Sequence, residues 1–315
     1  MTPLPFAHLA WAIPLAVSAA VGFAAVGALF SALIFELRGR GKGKAFNDKL
    51  AQQLSAVGAR ALLLYLVMAG FGCWLATSGL VSPPGLEDLL PPWSWAVLGC
   101  AAASALFSLA YASKWRWWRD RKGAHLALGW LMALACLAFL AALLATGLLV
   151  LTPSGIRLPG ELFPRDKLML LWAFLLNAAA LAAALGPTLG AVYLLLRRSR
   201  DDFGRDYYVF GLRSLASVGA AGAVISPVLI AVTAWMAYSG RLGLGHGPAL
   251  LVLPDVYGCW AAAVGLLLVA AVLLFRVRAA DIPQRRKASI LFAVLCMGAA
   301  CLGAGAGVTP LLLAG

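Results

Sequence analysis

Apolar stretches longer than about 18 residues recur along this chain, and a helix of that length crosses about 30 Å of hydrocarbon at about 1.5 Å per residue. Eight of them can be read, near 9–36, 53–79, 92–113, 126–151, 168–196, 212–238, 249–275 and 289–313. With 63% hydrophobic types and 12% charged types in 315 residues, too few polar side chains remain to cover a water-soluble surface of this size. The expected fold is therefore all-α and integral to a bilayer, with eight transmembrane helices. The connections between runs are all shorter than about 20 residues, which leaves no room for a soluble domain. The first run reads as a membrane span rather than a cleaved signal peptide, because it is too long and lacks a basic leader.

A net charge of +13 suggests nucleic acid at first sight, but its distribution points elsewhere. Four alternate loops, "RGRGKGKAFNDK", "KWRWWRDRKGAH", "RRSRDDFGRDYY" and "RVRAADIPQRRK", together with the helix ends beside them, hold 20 of the 25 Lys and Arg residues. The loops between them hold only Arg157, Arg165, Lys167 and Arg241. An excess of this kind orients a membrane protein with its basic loops in the cytoplasm. Both termini are then expected to be extracytoplasmic, in a bacterial inner membrane, with no nucleic-acid partner.

The chain also repeats itself. At an offset of 161 residues, "LSAVGARALLLYLVMAGFGCWLATSG" (54–79) aligns without a gap on "LASVGAAGAVISPVLIAVTAWMAYSG" (215–240), and "LAWA" (9–12) falls on "LLWA" (170–173). An even number of crossings returns the second unit to the starting side, so the repeat is parallel. The expected organisation is two tandem four-helix bundles, 1–160 and 161–315. Runs such as "AAVGFAAVGA" and "AAALAAALGPTLGA" supply the small residues that let membrane helices approach closely. Pro14, Pro187 and Pro227 are expected to kink their helices. Trp93, Trp95, Trp115, Trp117, Trp118, Tyr207 and Tyr208 gather at the ends of runs, as interfacial anchors do.

Residues able to carry chemistry are few. Cys73, Cys100, Cys136, Cys259, Cys296 and Cys301 all lie within apolar runs and read as small fillers. No CxxCH attaches a haem covalently, and no CxxC pair offers a zinc or iron–sulfur site. Glu36 and Arg60 fall near the basic ends of their helices and Asp255 near an opposite end, so no carboxylate chain spans the middle of the membrane. Asn177, at mid-helix, is expected to hydrogen-bond to a neighbouring helix. The three histidines are His8, at the outer start of the first helix, His125, at the basic start of the fourth, and His246, in a Gly-rich loop. His8 and His125 lie about a membrane thickness apart and cannot ligate one haem.

Three segments carry a family resemblance. "HLAWAIPL" with the basic loop leading into "FNDKLAQQLSAVGARALLL", then "KGAHLALGWLMALACLAFLAALLATG" (122–147), then "LRRSRDDFGRDYYVFGLRSLASVGAAG" (196–222), resemble in order the first two helices, the fourth helix, and the Arg-Asp loop with its following helix in cytochrome bd quinol oxidase subunit I. The likeness covers about 200 residues in patches. It implies a b-type haem near the outer face with His8 as an axial ligand. The repeat aligns His8 with Met169, the expected second ligand, and His/Met ligation raises a reduction potential. The third helix, "WSWAVLGCAAASALFSLAYA", lacks the glutamates that the family sets beside its oxygen-reducing haem. The fifth has no histidine, and the long quinol-binding insertion is absent.

The resemblance thus implies a subunit of a respiratory electron-transfer complex that relays electrons between the quinol pool and periplasmic c-type cytochromes without reducing oxygen itself. Expected partners are membrane lipid and other subunits, c-type cytochromes or iron–sulfur proteins among them. Two other classes fit the residues: a cofactor-free scaffold subunit, and a small-solute transporter built from parallel repeats.

Overall fold

The computed structural model describes residues 6–39, 44–77, 93–115, 117–118, 121–150, 165–200, 203–238 and 254–313. All regular structure among them is helical: α1 (Phe6–Arg38), α2 (Lys44–Thr77), α3 (Trp93–Ser113), α4 (Lys122–Val150), α5 (Arg165–Arg197), α6 (Arg205–Tyr238), α7 (Pro254–Ala279) and, after a 3-10 turn at Pro283–Arg286, α8 (Lys287–Leu313). Each contains a segment long and apolar enough to cross a bilayer, as a multi-pass membrane protein requires.

The helices outrun the apolar stretches mainly where the chain turns basic. α2 starts at Lys44 and α6 at Arg205, several residues before their apolar runs, because polar turns there pair across helices. The Tyr207 hydroxyl donates to Gln53 Oε1 at 2.5 Å. Phe46 packs edge-on against Tyr207 and tilted against Phe210. Tyr207 and Tyr208 are consequently buried between helices rather than anchored at a lipid interface, as their position at a run end had suggested. Helix starts recur at a fixed spacing: Lys44 and Arg205, Trp93 and Pro254, and Lys122 and the turn at Pro283 each stand 161 positions apart.

α1 and α5 form the centre, with 56% and 61% of their apolar windows buried, and α3 is the most peripheral at 17%. The α1–α5 seam is a backbone contact. A methyl group built on Gly27 would overlap the Ala182 carbonyl, and one on Gly186 would overlap the Gly27–Ala28 peptide. Lipid tails are as apolar as leucine, so close packing rather than burial from water holds such a seam, and glycine permits it. Leu29, Leu50, Leu54, Leu62, Leu212 and Leu215 fill the surrounding core, while Leu98 and Leu106 on α3 and Leu131 and Leu134 on α4 stay on the outside. α5 and α6 run through Pro187 and Pro227 without a break.

The basic helix ends meet on one face. Lys122 on α4 pairs with Asp48 on α2 at 2.5 Å. The Lys49 ammonium lies 3.9 Å from the Phe203 ring centroid, before α6. Arg213 on α6 donates to the Ala280 carbonyl beyond α7 at 2.9 and 3.3 Å.

Candidate functional site

On that basic face, three helix ends converge on one buried polar cluster. Glu36 lies in the last turn of α1, Tyr111 in the last turn of α3 and His125 in the first turn of α4. Glu36 and His125 expose only 3% of their side chains, and Tyr111 is fully buried. His125 Nδ1 lies 2.7 Å from Glu36 Oε1, and the Tyr111 hydroxyl donates to Glu36 Oε2 at 2.6 Å. His125 Nε2 lies 3.1 Å from the backbone carbonyl of Tyr111. A helix leaves its last carbonyls without in-helix donors, so the imidazole completes the end of α3.

This geometry fixes where hydrogens sit. A carbonyl oxygen can only accept, so Nε2 carries a hydrogen. Between Nδ1 and Oε1 one further proton is needed, whether it rests on the nitrogen or on the oxygen. In both arrangements the Glu36–His125 pair is neutral overall and holds that single proton. Neutrality is what allows such a pair to be buried, since an uncompensated charge there is very costly.

Aromatic rings wall the imidazole. The Trp115 ring centroid stands 4.4 Å from that of His125, and the Tyr111 ring 4.7 Å away. Trp115 is held by its indole N–H, which donates to Ser55 Oγ on α2 at 3.0 Å. It is therefore part of the cluster, while Trp117, two residues on, is 80% exposed and suits an interfacial anchor. The pair of Asp48 with Lys122, one turn before His125 on α4, is partly exposed. Asp48 Oδ1 is buried without a hydrogen-bond partner. It lies against Gly39, where a Cβ would come within 2.5 Å of it, so a larger residue there would push the Asp48 carboxylate aside.

The expected haem ligands lie at the opposite end. His8 is on the first turn of α1, and its side chain falls outside the described residues. Met169 is in the second turn of α5, on the helix that packs against α1. Its side chain is more than half exposed, on an outward stripe with Trp172 and Leu176. His246 falls outside the described residues, as do the side chains of Cys73 on α2 and Asp255 on α7. Arg60 is exposed on α2. Asn177 Nδ2 donates to Thr233 Oγ1 on α6 at 2.8 Å, the interhelical bond expected of it. Among the described residues no three His, Cys, Asp or Glu side chains are grouped as a metal would need.

Sequence reasoning placed Glu36 and His125 correctly near basic helix ends but did not bring them together. A usable signal was present: one carboxylate and one imidazole, each within a turn of the same face, each in an otherwise apolar helix. No protein-family model matches the chain, and no curated protein matches it.

Proposed function

We propose that the protein is an integral subunit of a respiratory electron-transfer complex in a bacterial inner membrane, a diverged relative of cytochrome bd quinol oxidase subunit I. Its two tandem four-helix bundles have the basic turns in the cytoplasm and both termini outside. The matching 161-residue spacing of helix starts supports the duplication. Clustering of the basic helix ends on one face supports the orientation.

The observation that carries the reading is the α1–α5 seam. Gly27 and Gly186 touch through backbone near the middle of the two central helices. Transporters built from repeats hold substrate near mid-membrane at the repeat interface, and at Gly27 and Gly186 α1 and α5 meet there backbone to backbone. A closed centre suits a fixed frame that holds a redox group or neighbouring subunits.

A b-type haem would be held by His8 on α1, as imidazole donor, and Met169 on the adjoining α5, as thioether donor. When bound, the group supplies one-electron transfer at a potential that thioether ligation raises. Met169 sits on the flank of the bundle, so its thioether is not committed to the protein core. The same flank leaves an edge open to a c-type cytochrome, an iron–sulfur protein or a quinol. His125 takes no part, because both its nitrogens are engaged.

The test is a reduced-minus-oxidised absorbance spectrum of the purified protein. A b-type alpha band that disappears in His8→Ala supports the reading. A flat spectrum from haem-replete cells overturns it in favour of a cofactor-free scaffold, and solute flux into proteoliposomes would favour transport.

A further inference from the structure

We infer that Glu36, His125 and Tyr111 form a one-proton binding site that latches the α3–α4 hairpin to the basic end of α1. This site stands apart from the proposed haem and does not depend on it.

The hairpin needs a fastening of this kind. α3 is the least buried helix of the bundle, and its outer face carries Trp95, Leu98, Leu106 and Leu109. Apolar contacts to the rest of the bundle exist, such as Tyr65 on α2 against Phe139 and Leu33 on α1 against Leu126 and Ala133. In a bilayer such contacts compete with lipid on nearly equal terms. The hydrogen bonds of Glu36 are different, because lipid cannot replace them. One carboxylate on α1 binds a hydroxyl on α3 and an imidazole on α4, and that imidazole returns to the backbone of α3.

Each bond in this ring depends on the proton count. If the shared proton leaves, a lone pair on His125 must face either the Glu36 carboxylate or the Tyr111 carbonyl, and one bond becomes a repulsion. If a second proton arrives, Oε1 already faces Nδ1–H, so it must settle on Oε2. Oε2–H then donates to the Tyr111 oxygen, and the hydrogen of the buried Tyr111 hydroxyl is left without its acceptor. The native arrangement therefore holds at one proton and loosens on either side.

The other titratable groups around the pair are Tyr111 from α3, Asp48 from α2 and Lys122 from α4, the last two bonded to one another. α5 packs on α1 and α4, and α8 packs on α1; among the described residues neither these helices nor Arg38 on α1 brings a charged group into hydrogen-bond distance of the pair. Lys122 and Asp48 are 36% and 24% exposed, against 3% for Glu36 and His125, so solvent reaches this end of the bundle at their side chains. The repeat shows that the latch belongs to one half. The positions 161 residues beyond Glu36, Tyr111 and His125 are Arg197, Val272 and Arg286, which cannot form it.

Hydrogen exchange on the full chain in lipid nanodiscs, followed at residues 126–133 as pH is varied, tests the latch. Expressed as protection relative to intrinsic exchange at each pH, the expected profile has a maximum at an intermediate pH and falls roughly tenfold or more on both sides, as loss of a buried hydrogen bond implies. Tyr111→Phe removes one donor without touching the pair. It should raise exchange at the optimum and flatten the acid limb, since the second proton then displaces nothing. Histidine nitrogen NMR should find one imidazole, missing in His125→Gln, with Nε2 protonated and its Nδ1 proton held or shared. A pH-independent profile overturns the proposal, as does an unprotonated Nδ1 beside an ionised Glu36 carboxylate, or a Tyr111→Phe acid limb as steep as that of the parent.

Discussion

Glu36 and His125 are 89 positions apart in sequence and 2.7 Å apart in space, at the ends of two helices that otherwise present almost nothing but apolar side chains. Removing one partner of a buried pair strands the other, at a typical cost of about 3–5 kcal/mol. His125→Ala and Glu36→Ala should each destabilise the protein on that scale. The pair shares one set of bonds, so the double variant should cost clearly less than the sum of the two. Unfolding in mixed micelles at fixed pH measures all three. Additive losses would show that the two side chains act independently.

The α1–α5 seam makes a sharper prediction about volume. Leucine at Gly27 or Gly186 would drive a side chain into the neighbouring backbone, which cannot repack as side chains do. The expected loss is about 3 kcal/mol or more, the upper end for overpacking, together with failure to accumulate in the membrane. Gly70, Gly99 and Gly298 have no atoms within 4 Å of a built Cβ. Alanine at those positions should be neutral or should stabilise by up to about 1 kcal/mol through helix propensity. Expression and thermal stability of the five variants separate packing from propensity.

What the sequence made legible follows from which forces act locally. Length and apolarity are local properties, and they gave all eight helices. The polar starts of α2 and α6 did not follow, because Gln53–Tyr207 and Phe46–Phe210 are long-range pairs that stabilise turns a hydropathy reading assigns to loops. The same reason hid the Glu36 cluster. A lone glutamate beside Arg38 at a helix end reads as a solvated charge until α3 and α4 are folded across it. Asn177 was legible in kind, since an amide at mid-membrane needs a partner, but nothing local named Thr233.

That amide supports a modest prediction. Asn177 donates to Thr233 and to the Ala173 carbonyl of its own helix, and Thr233 donates on to Leu229. Interhelical bonds of this kind in membranes average about 0.6 kcal/mol and reach about 1.7. A double-mutant cycle of Asn177→Leu and Thr233→Val should return a coupling in that range. Because Asn177 Oδ1 is buried without a partner, Asn177→Leu on its own should cost little and could even stabilise. A loss above about 3 kcal/mol would mean that the carbonyl oxygen meets a group that the described residues do not supply.

Orientation can be checked on exposed positions at the two ends of the bundle. Arg200 and Lys44 are exposed on the basic face, and Trp95 is 73% exposed at the start of α3, the opposite end. In a background with the six native cysteines replaced, cysteine at 200 or 44 should resist a membrane-impermeant maleimide in intact spheroplasts and react in inverted vesicles. Cysteine at 95 should do the reverse. Basic residues near helix ends set orientation through their retention on the cytoplasmic side, so moving them should move the protein. With the cysteine at 44, replacing Arg38, Arg198 and Arg200 by glutamine while adding four lysines beyond Thr77 and Tyr238 should raise the fraction labelled at 44 from outside. If labelling at 44 is already complete in the parent, the basic face is outside, and the proton reaching Glu36 and His125 comes from the other compartment.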